Sequence, residues 1–349
     1  MIIDAPLPSD VTGSGPAARA LAAAGATGTF TFEGAHDVFV PLVLAAAERT
    51  PLDLYTNVAI AFPRSPLHLA HMAHDLHSLS AGRFTLGLGS QVRPHIERRY
   101  GSVWSEPAAR MRETVLAVKA VLRAWQDGTQ LDFHGRFTTH TLMPPTFDPG
   151  PCPYGVPPVV VGAVGPRMTD VATEVADGLI VHPLNSERSL REHTLAAVDA
   201  GLARAGRDRA AFTVTAGAIV GVWEHESRRD AVSAALRTMV SFYGSTPAYR
   251  VLLEADGYGD LQPELHQLSK DGRWADMAGL IDDRVLDHFT LRGTPAEVGA
   301  ALRRRYGDVV DRVALSPQGG LSTTALAEVI SAAAAAQLGL DVGVKTLGD

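Results

Sequence analysis

The chain has 349 residues, 46% hydrophobic and 20% charged, enough for a large core built as one big α/β domain or two smaller ones. Its net charge of −7 argues against nucleic acid as the main partner, and its one cysteine, Cys152, excludes a disulfide framework and any multi-cysteine metal or iron–sulfur site. The opening MIIDAPLPSD lacks a basic region followed by an apolar run, so no signal peptide is expected and a cytoplasmic protein is the default.

From the amino terminus, Met1–Ala5 predicts a first strand and the Ala-rich Pro16–Gly25 a helix ended by its glycine. Thr29–Phe32 reads as a second strand, with Glu33-Gly-Ala-His36-Asp37 at its carboxyl end and a helix over Phe39–Arg49. Leu54–Phe62 is apolar and β-branched in the manner of a third strand. Ser65 and Pro66 then supply a cap and a first helical residue, and Leu69, Met72, Leu76 and Leu79 recur at helical spacing until Ala81-Gly82. Phe84, Leu86 and Leu88 alternate with Thr85, Gly87 and Gly89, a fourth strand entering a glycine-rich loop. Strand, helix and strand make a right-handed parallel unit, whose ligands bind beyond the carboxyl ends of the strands. Asn57–Pro63 and Gly89–Pro94 therefore share one rim.

Gln91–Ser105 is a polar, basic connection, and Pro107–Trp125 a helix with Met111, Val115, Val118 and Leu122 on one face. Asp127–Pro157, rich in Gly, Pro, Thr and His, is an insertion of the kind that often serves as a lid. Val159–Val161 is a strand leading through Gly162-Ala-Val-Gly-Pro-Arg167 into a helix over Met168–Ala176. Strand Leu179–His182, helix Glu187–Ala205, strand Phe212–Val222 and helix Glu226–Phe242 follow, then a second large insertion, Gly244–Thr290, of short helical pieces. Thr294-Pro-Ala-Glu297 reads as a capped helix start, Val313–Ser316 as the last strand, and Ala325–Leu340 as a helix whose Glu328, Ser331 and Gln337 argue against a membrane span. Strands thus alternate with helices through a single domain, 1–349, carrying insertions at about 90–106, 127–157 and 244–292. That alternation points to an α/β fold of the (β/α)8 TIM-barrel type with rim insertions; a doubly wound open sheet is the alternative.

Gly162–Arg167 is the best phosphate candidate, because a glycine-rich turn at a helix N-terminus aims backbone N–H groups at an anion and Arg167 adds a charge. An ordinary tight turn is the bland reading. Gly87-Leu-Gly89 lacks the third glycine of a dinucleotide fingerprint, so close approach of backbone to a flat ligand is the better use of these glycines. His36, with Asp37 and Glu33, can exchange a proton near neutral pH, although a lone rim histidine is more often structural. His68, His71, His74 and His77 drift around their helix and lack a His-Glu-x-x-His pattern, so no metal site is expected; His71 and Asp75 are spaced to pair. Arg93, His95, Arg98 and Arg99 form a basic rim cluster, either a solvated charge run or a seat for an anion. No Gly-x-Ser-x-Gly elbow and no P-loop supports a hydrolase or nucleotide triphosphatase.

Together, Arg64-Ser-Pro66, Asp75-Leu-His-Ser-Leu-Ser-Ala-Gly-Arg83-Phe, Gly87-Leu-Gly89, Gly162–Arg167, Ala176-Asp-Gly178 and Gly293–Glu297 give a pattern that resembles the bacterial-luciferase-like superfamily of flavin and deazaflavin enzymes, over nearly the whole chain. Glu33-x-x-His36-Asp37, Gly89–Arg99 and His140-Thr-Leu-Met143 are similar to its actinobacterial F420-dependent branch. The resemblance implies a barrel with the ring of F420, or alternatively FMN, at the strand ends. It implies a non-prolyl cis peptide near Asn57–Val58, so that Asn57, Val58 and Ala59 bulge behind the ring, with Gly89 and Gln91 beside it. It assigns the phosphate to Gly162, Ala163, Val164, Gly165, Pro166, Arg167 and Met168, and makes His36 the proton donor or substrate orienter, with Asp37 the second catalytic candidate. One departure stands out: where some F420-dependent relatives carry an acid, this chain has Gln91 and Val92.

The function expected is an F420-dependent oxidoreductase transferring a hydride between deazaflavin and a small organic substrate. Arg93, Arg98 and Arg99 would meet the acidic glutamyl tail. The rivals are an FMN-dependent monooxygenase on the same barrel and a non-catalytic flavin-binding barrel. A homodimer through helices near the Leu54–Gly89 unit is expected from the resemblance, with no nucleic-acid or membrane partner.

Overall fold

The computed structural model describes residues 1–8 and 10–345. Twelve strands are formed: β1 (Ile2–Pro6), β2 (Gly28–Thr31), β3 (Asp53–Thr56), β4 (Ala59–Ile60), β5 (Phe84–Gly89), β6 (Phe133–His134), β7 (Thr139–His140), β8 (Val159–Ala163), β9 (Gly178–Val181), β10 (Thr213–Val222), β11 (Thr290–Gly293) and β12 (Arg312–Gln318). Eight of them close a parallel barrel in the order β1-β2-β3-β5-β8-β9-β10-β12, with β12 pairing back onto β1. Helices cover the outside, so the fold is the expected (β/α)8 barrel.

Alternation along the strands explains the closure. In β5, Leu86 and Leu88 are fully buried in the core beneath the helices, while Gly87 and Gly89 turn to the barrel axis. The axis itself is filled by Phe30, Tyr55, Val160, Ile180 and Ala314, with Val58 packed against them. Helices start where the residue types predict. Ser65 accepts the Leu67 N–H at 3.2 Å to cap helix Pro66–Leu79, and Thr294 and Glu297 form a reciprocal capping box on Pro295–Tyr306.

Four features differ from the pattern read in the sequence. The expected third strand is two pieces: β3 leaves β5 after Tyr55–Thr85, and pairing resumes at Ala59–Leu88. One extra residue is held in that gap, and the Thr56 hydroxyl stands in for the ladder, donating to the Gly87 carbonyl at 2.7 Å and accepting its N–H at 2.9 Å. The Asn57–Val58 peptide within the gap is cis, where the resemblance placed it. The polar connection after β5 contains a short helix, Arg93–Arg98. β11, read as insertion, is a strand outside the ring paired to β10; the insertion before it holds the expected short helical pieces, four of them, with their own apolar cluster on helix Arg229–Gly244. Finally, the helix after β8 starts at Pro166, not Met168, so Gly165 is its cap residue.

Candidate active site

Inward-facing residues one step beyond the axial plug build the mouth of the barrel. Ile180 belongs to the plug, so period-2 alternation turns His182 to the same side at the end of β9. On neighbouring strands the same level holds Gly89, Gly162 and the segment after Thr56. Val58 sits between the two glycines: a Cβ on Gly89 would lie 2.3 Å from Val58 Cγ2, and one on Gly162 would lie 3.1 Å from Val58 Cγ1. A side chain at Gly89 would collide with Val58 and one at Gly162 would crowd it, so the two glycines leave a low surface around one apolar ridge, suited to a flat ring. Asn57 anchors the ridge through its N–H to the Thr31 carbonyl at 2.7 Å.

Glu33 organises one side of this rim. Its nearly buried carboxylate accepts from the Ile60 N–H at 2.8 Å, Arg64 at 2.6 Å and the Tyr100 hydroxyl at 3.0 Å. It thereby ties the end of β2 to the segment after the bulge and to the loop after β5. Burial, and then the Glu33 charge, raise the Tyr100 phenol above its ordinary value, so it remains a donor. Asp37 is engaged as a cap: its Oδ1 accepts from Phe39 and Val40 N–H at 2.8 and 3.3 Å, and its Oδ2 lies 3.5 Å from Arg64. His36 stands exposed on the same turn and lowers the Asp10 carboxyl as one of its lesser influences, after the bonds from Thr12.

The glycine-rich turn 162–165 leads to helix Pro166–Val175 with no side chain within reach of a Cβ at Gly165. The helix N-terminus is therefore open. Arg167 is exposed there and has no ion-pair partner among the described residues. Ala163 and Met168, however, point into the core under the helices, as does Ala59. Gln91 holds a left-handed backbone, φ 57°, and its Oε1 accepts the Val92 N–H at 3.0 Å, so its side chain is turned back on its own loop. In the basic cluster, Arg93 is paired with Glu97 at 2.9 Å and Arg99 donates to the Gly34 carbonyl at 2.6 Å. Arg98 alone of these arginines has no partner among the described residues. The histidine helix is packing: His71 and His74 lie against Trp125, His77 bonds the Phe84 carbonyl at 3.0 Å, and Asp75 approaches His74 rather than His71.

The sequence reading passed over His182 with Tyr243 and Tyr249. The imidazole ring centroid lies 4.3 Å from Tyr249 and 4.7 Å from Tyr243. The strand pattern Gly178, Ile180, His182 was a usable signal for the histidine; Tyr243 arrives from the end of the helix after β10 and Tyr249 from the insertion that follows it.

A family model described as luciferase-like monooxygenase matches residues 7–312. An uncharacterized protein of Mycobacterium tuberculosis is 48% identical over 89% of this chain and 92% of its own length. A 5,10-methylenetetrahydromethanopterin reductase of Archaeoglobus fulgidus is 29% identical over 75% of this chain and 76% of its own. Among solved structures, the coenzyme F420 dependent tetrahydromethanopterin reductase of Methanopyrus kandleri superimposes with a TM-score of 0.77 at 20% identity, covering 94% of this chain and 96% of that one.

Proposed function

The chain belongs to the luciferase-like monooxygenase family, and from that premise we propose that it is an F420-dependent oxidoreductase moving a hydride between deazaflavin and a small organic substrate. The observation that carries this is the rim itself: Val58 standing between the bare backbones of Gly89 and Gly162, with an open helix N-terminus at Gly165 on the same level. Those residues fit a flat ring joined to a phosphate. F420, when bound, supplies a two-electron hydride donor or acceptor.

The rest is the work of the chain's own residues. The Gly162–Arg167 turn holds the phosphate through backbone N–H groups and the Arg167 guanidinium. Val58 and the bulge around Asn57 set where the ring rests, and Glu33 and Arg64 keep that segment in place. Arg98 meets the acidic tail. His36 carries the proton exchanged with substrate, on a turn that Asp37 fixes by capping the next helix. Support for the reductive reading comes from the Archaeoglobus relative, which is named for a reduction. The family description supports a second reading, an FMN-dependent monooxygenase, for which oxygen uptake with a flavin reductase is the assay.

Fluorescence titration of the purified chain with F420 and with FMN decides between them. Micromolar F420 affinity with far weaker FMN affinity is expected; the reverse preference overturns the F420 reading. No helix among the described residues is long and apolar enough to cross a membrane. We further propose a homodimer through helix Val40–Ala47, where Val40, Val43 and Leu44 form an exposed apolar stripe at i, i+3 and i+4 spacing. A monomer in sedimentation equilibrium at micromolar concentration would sink that proposal.

A further inference from the structure

At the end of β9 the backbone is fixed before any ligand arrives. Buried Asn185 donates to the His182 carbonyl at 2.8 Å and to the Gly217 carbonyl at 2.7 Å, and its own Oδ1 accepts from the Tyr306 hydroxyl at 3.2 Å. That asparagine thus ties the His182 backbone to β10 and to Tyr306. The Leu184 N–H donates to His182 Nδ1 at 3.1 Å. An acceptor Nδ1 leaves the proton on Nε2, so the free edge of the ring is a donor.

Two more rings that carry donors pack on this imidazole. Tyr243 closes helix Arg229–Gly244 and Tyr249 ends the short turn after it, both packed on the imidazole. Neither phenol hydroxyl, nor His182 Nε2, has a hydrogen-bond partner among the described residues. All three rings are half-buried. Val164 and Trp223 pack on the same apolar cluster as the two tyrosines, which sets the trio beside the glycine-rich turn. Burial depresses the imidazole to about 3 and pushes the Tyr243 phenol up to about 12, so the set stays neutral and protonated at physiological pH.

We propose that His182, Tyr243 and Tyr249 form the substrate subsite, binding the carbonyl oxygen of an uncharged ketone, aldehyde or enone with an apolar body. An anion would leave water for an apolar cluster whose flanking cation, Arg229 over the Trp223 ring, is already paired with Glu226, and an ammonium group would face the Nε2–H donor with only the phenol oxygens to accept from it. Three neutral donors and aromatic walls complement an acceptor oxygen on a flat or cyclic skeleton. His182 binds and orients this oxygen; the proposal rests on the oxidoreductase reading for what then happens to the carbonyl.

The test is imidazole-nitrogen NMR of the full chain loaded with F420, titrated with 2-cyclohexen-1-one and with cyclohexanecarboxylate and cyclohexylammonium as charged counterparts. The His182 signals are identified by their loss in His182→Phe. They should show the Nε2–H form and move with the enone but with neither charged compound. Enone affinity should fall about fivefold in His182→Phe and by a smaller factor in Tyr243→Phe and Tyr249→Phe, with partial recovery in His182→Gln, which keeps a donor. F420 affinity should be unchanged in all four variants. The subsite is overturned if the enone leaves the His182 signals unmoved up to millimolar concentration, if the charged compounds bind as well, or if His182→Phe binds the enone like the parent. Failure of F420 to bind the parent chain would instead count against the oxidoreductase reading, and the enone titration of the cofactor-free chain would still judge the subsite.

Discussion

The two ends of the barrel interior treat their polar groups in opposite ways. At the floor, Arg312 donates from Nε and Nη2 to the two oxygens of Asp4 at 2.8 Å each, and from Nη1 to Asp53 at 2.7 Å; the Tyr55 hydroxyl gives Asp4 another bond at 3.0 Å. Asp4 is wholly buried and fully engaged. At the mouth, His182 Nε2 and the Tyr243 and Tyr249 hydroxyls have no partner among the described residues, and Arg167 and Arg98 wait on the rim beyond them. Buried charge stabilises only when every bond is made, so a saturated floor belongs to folding. Polar groups held in place without partners weaken the fold and pre-organise a binding surface. In barrels of this type the carboxyl end of the strands is the working end, and the contrast follows that division.

The largest expected effect comes from breaking the floor. Arg312→Met leaves the Asp4 carboxylate buried without its cation, and the loss should be about 3–5 kcal/mol in urea denaturation. F420 affinity of the protein that remains folded should not change. A loss under about 1 kcal/mol, the range of exposed pairs, would mean that the floor is not a coupled set. The mouth should show its own weakness in acid. His182 takes up a proton near 6.5 when unfolded and only near 3 when folded. Between those values the unfolded chain binds the proton first, so stability is full above 6.5 and falls as pH drops through the window. The slope from this group is at most about 1.4 kcal/mol per pH unit. His182→Phe should flatten the acid limb relative to the parent; identical limbs would show the imidazole to be more solvated than its packing against the tyrosines implies.

How far the sequence carried the reading depended on the distance over which each feature is decided. Leu86 and Leu88 against Gly87 and Gly89 announce a strand with one face on the axis, because alternation is local. Ser65-Pro66 and Thr294–Glu297 announce helix starts for the same reason. The break in the third strand was hidden, since Leu54–Phe62 is uniformly apolar and the extra residue is fixed by register against β5, not by its own residue types. The floor pair joins residues 308 positions apart, and Tyr243 and Tyr249 reach His182 from the end of one helix and the start of the insertion after it, about 60 positions on. Asp37 shows the converse: the acid beside His36 accepts from two backbone N–H groups, a local bond that the helix start after it already signalled.

The smallest effect sharpens the contrast within the rim itself. Arg93, Arg98 and Arg99 are alike in sequence but not in engagement, for Arg93 already has Glu97 and Arg99 the Gly34 carbonyl. An anionic tail approaching this loop gains from Arg98 without displacing any bond, whereas Arg93 must first give up a carboxylate. Arg98→Glu should therefore weaken F420 by a few-fold at low salt, since exposed charges contribute about 0.2–1 kcal/mol each, and Arg93→Glu should weaken it less. Both differences should fade as salt shortens the screening length to about 8 Å at physiological strength. Arg167→Glu, at the helix N-terminus, should weaken F420 and FMN alike if that turn takes the phosphate as proposed, while Arg98→Glu should spare FMN. If Arg93→Glu proves as costly as Arg98→Glu, the pair with Glu97 opens on binding, and the loop's free charge is set by the ligand and not by the helix it sits on.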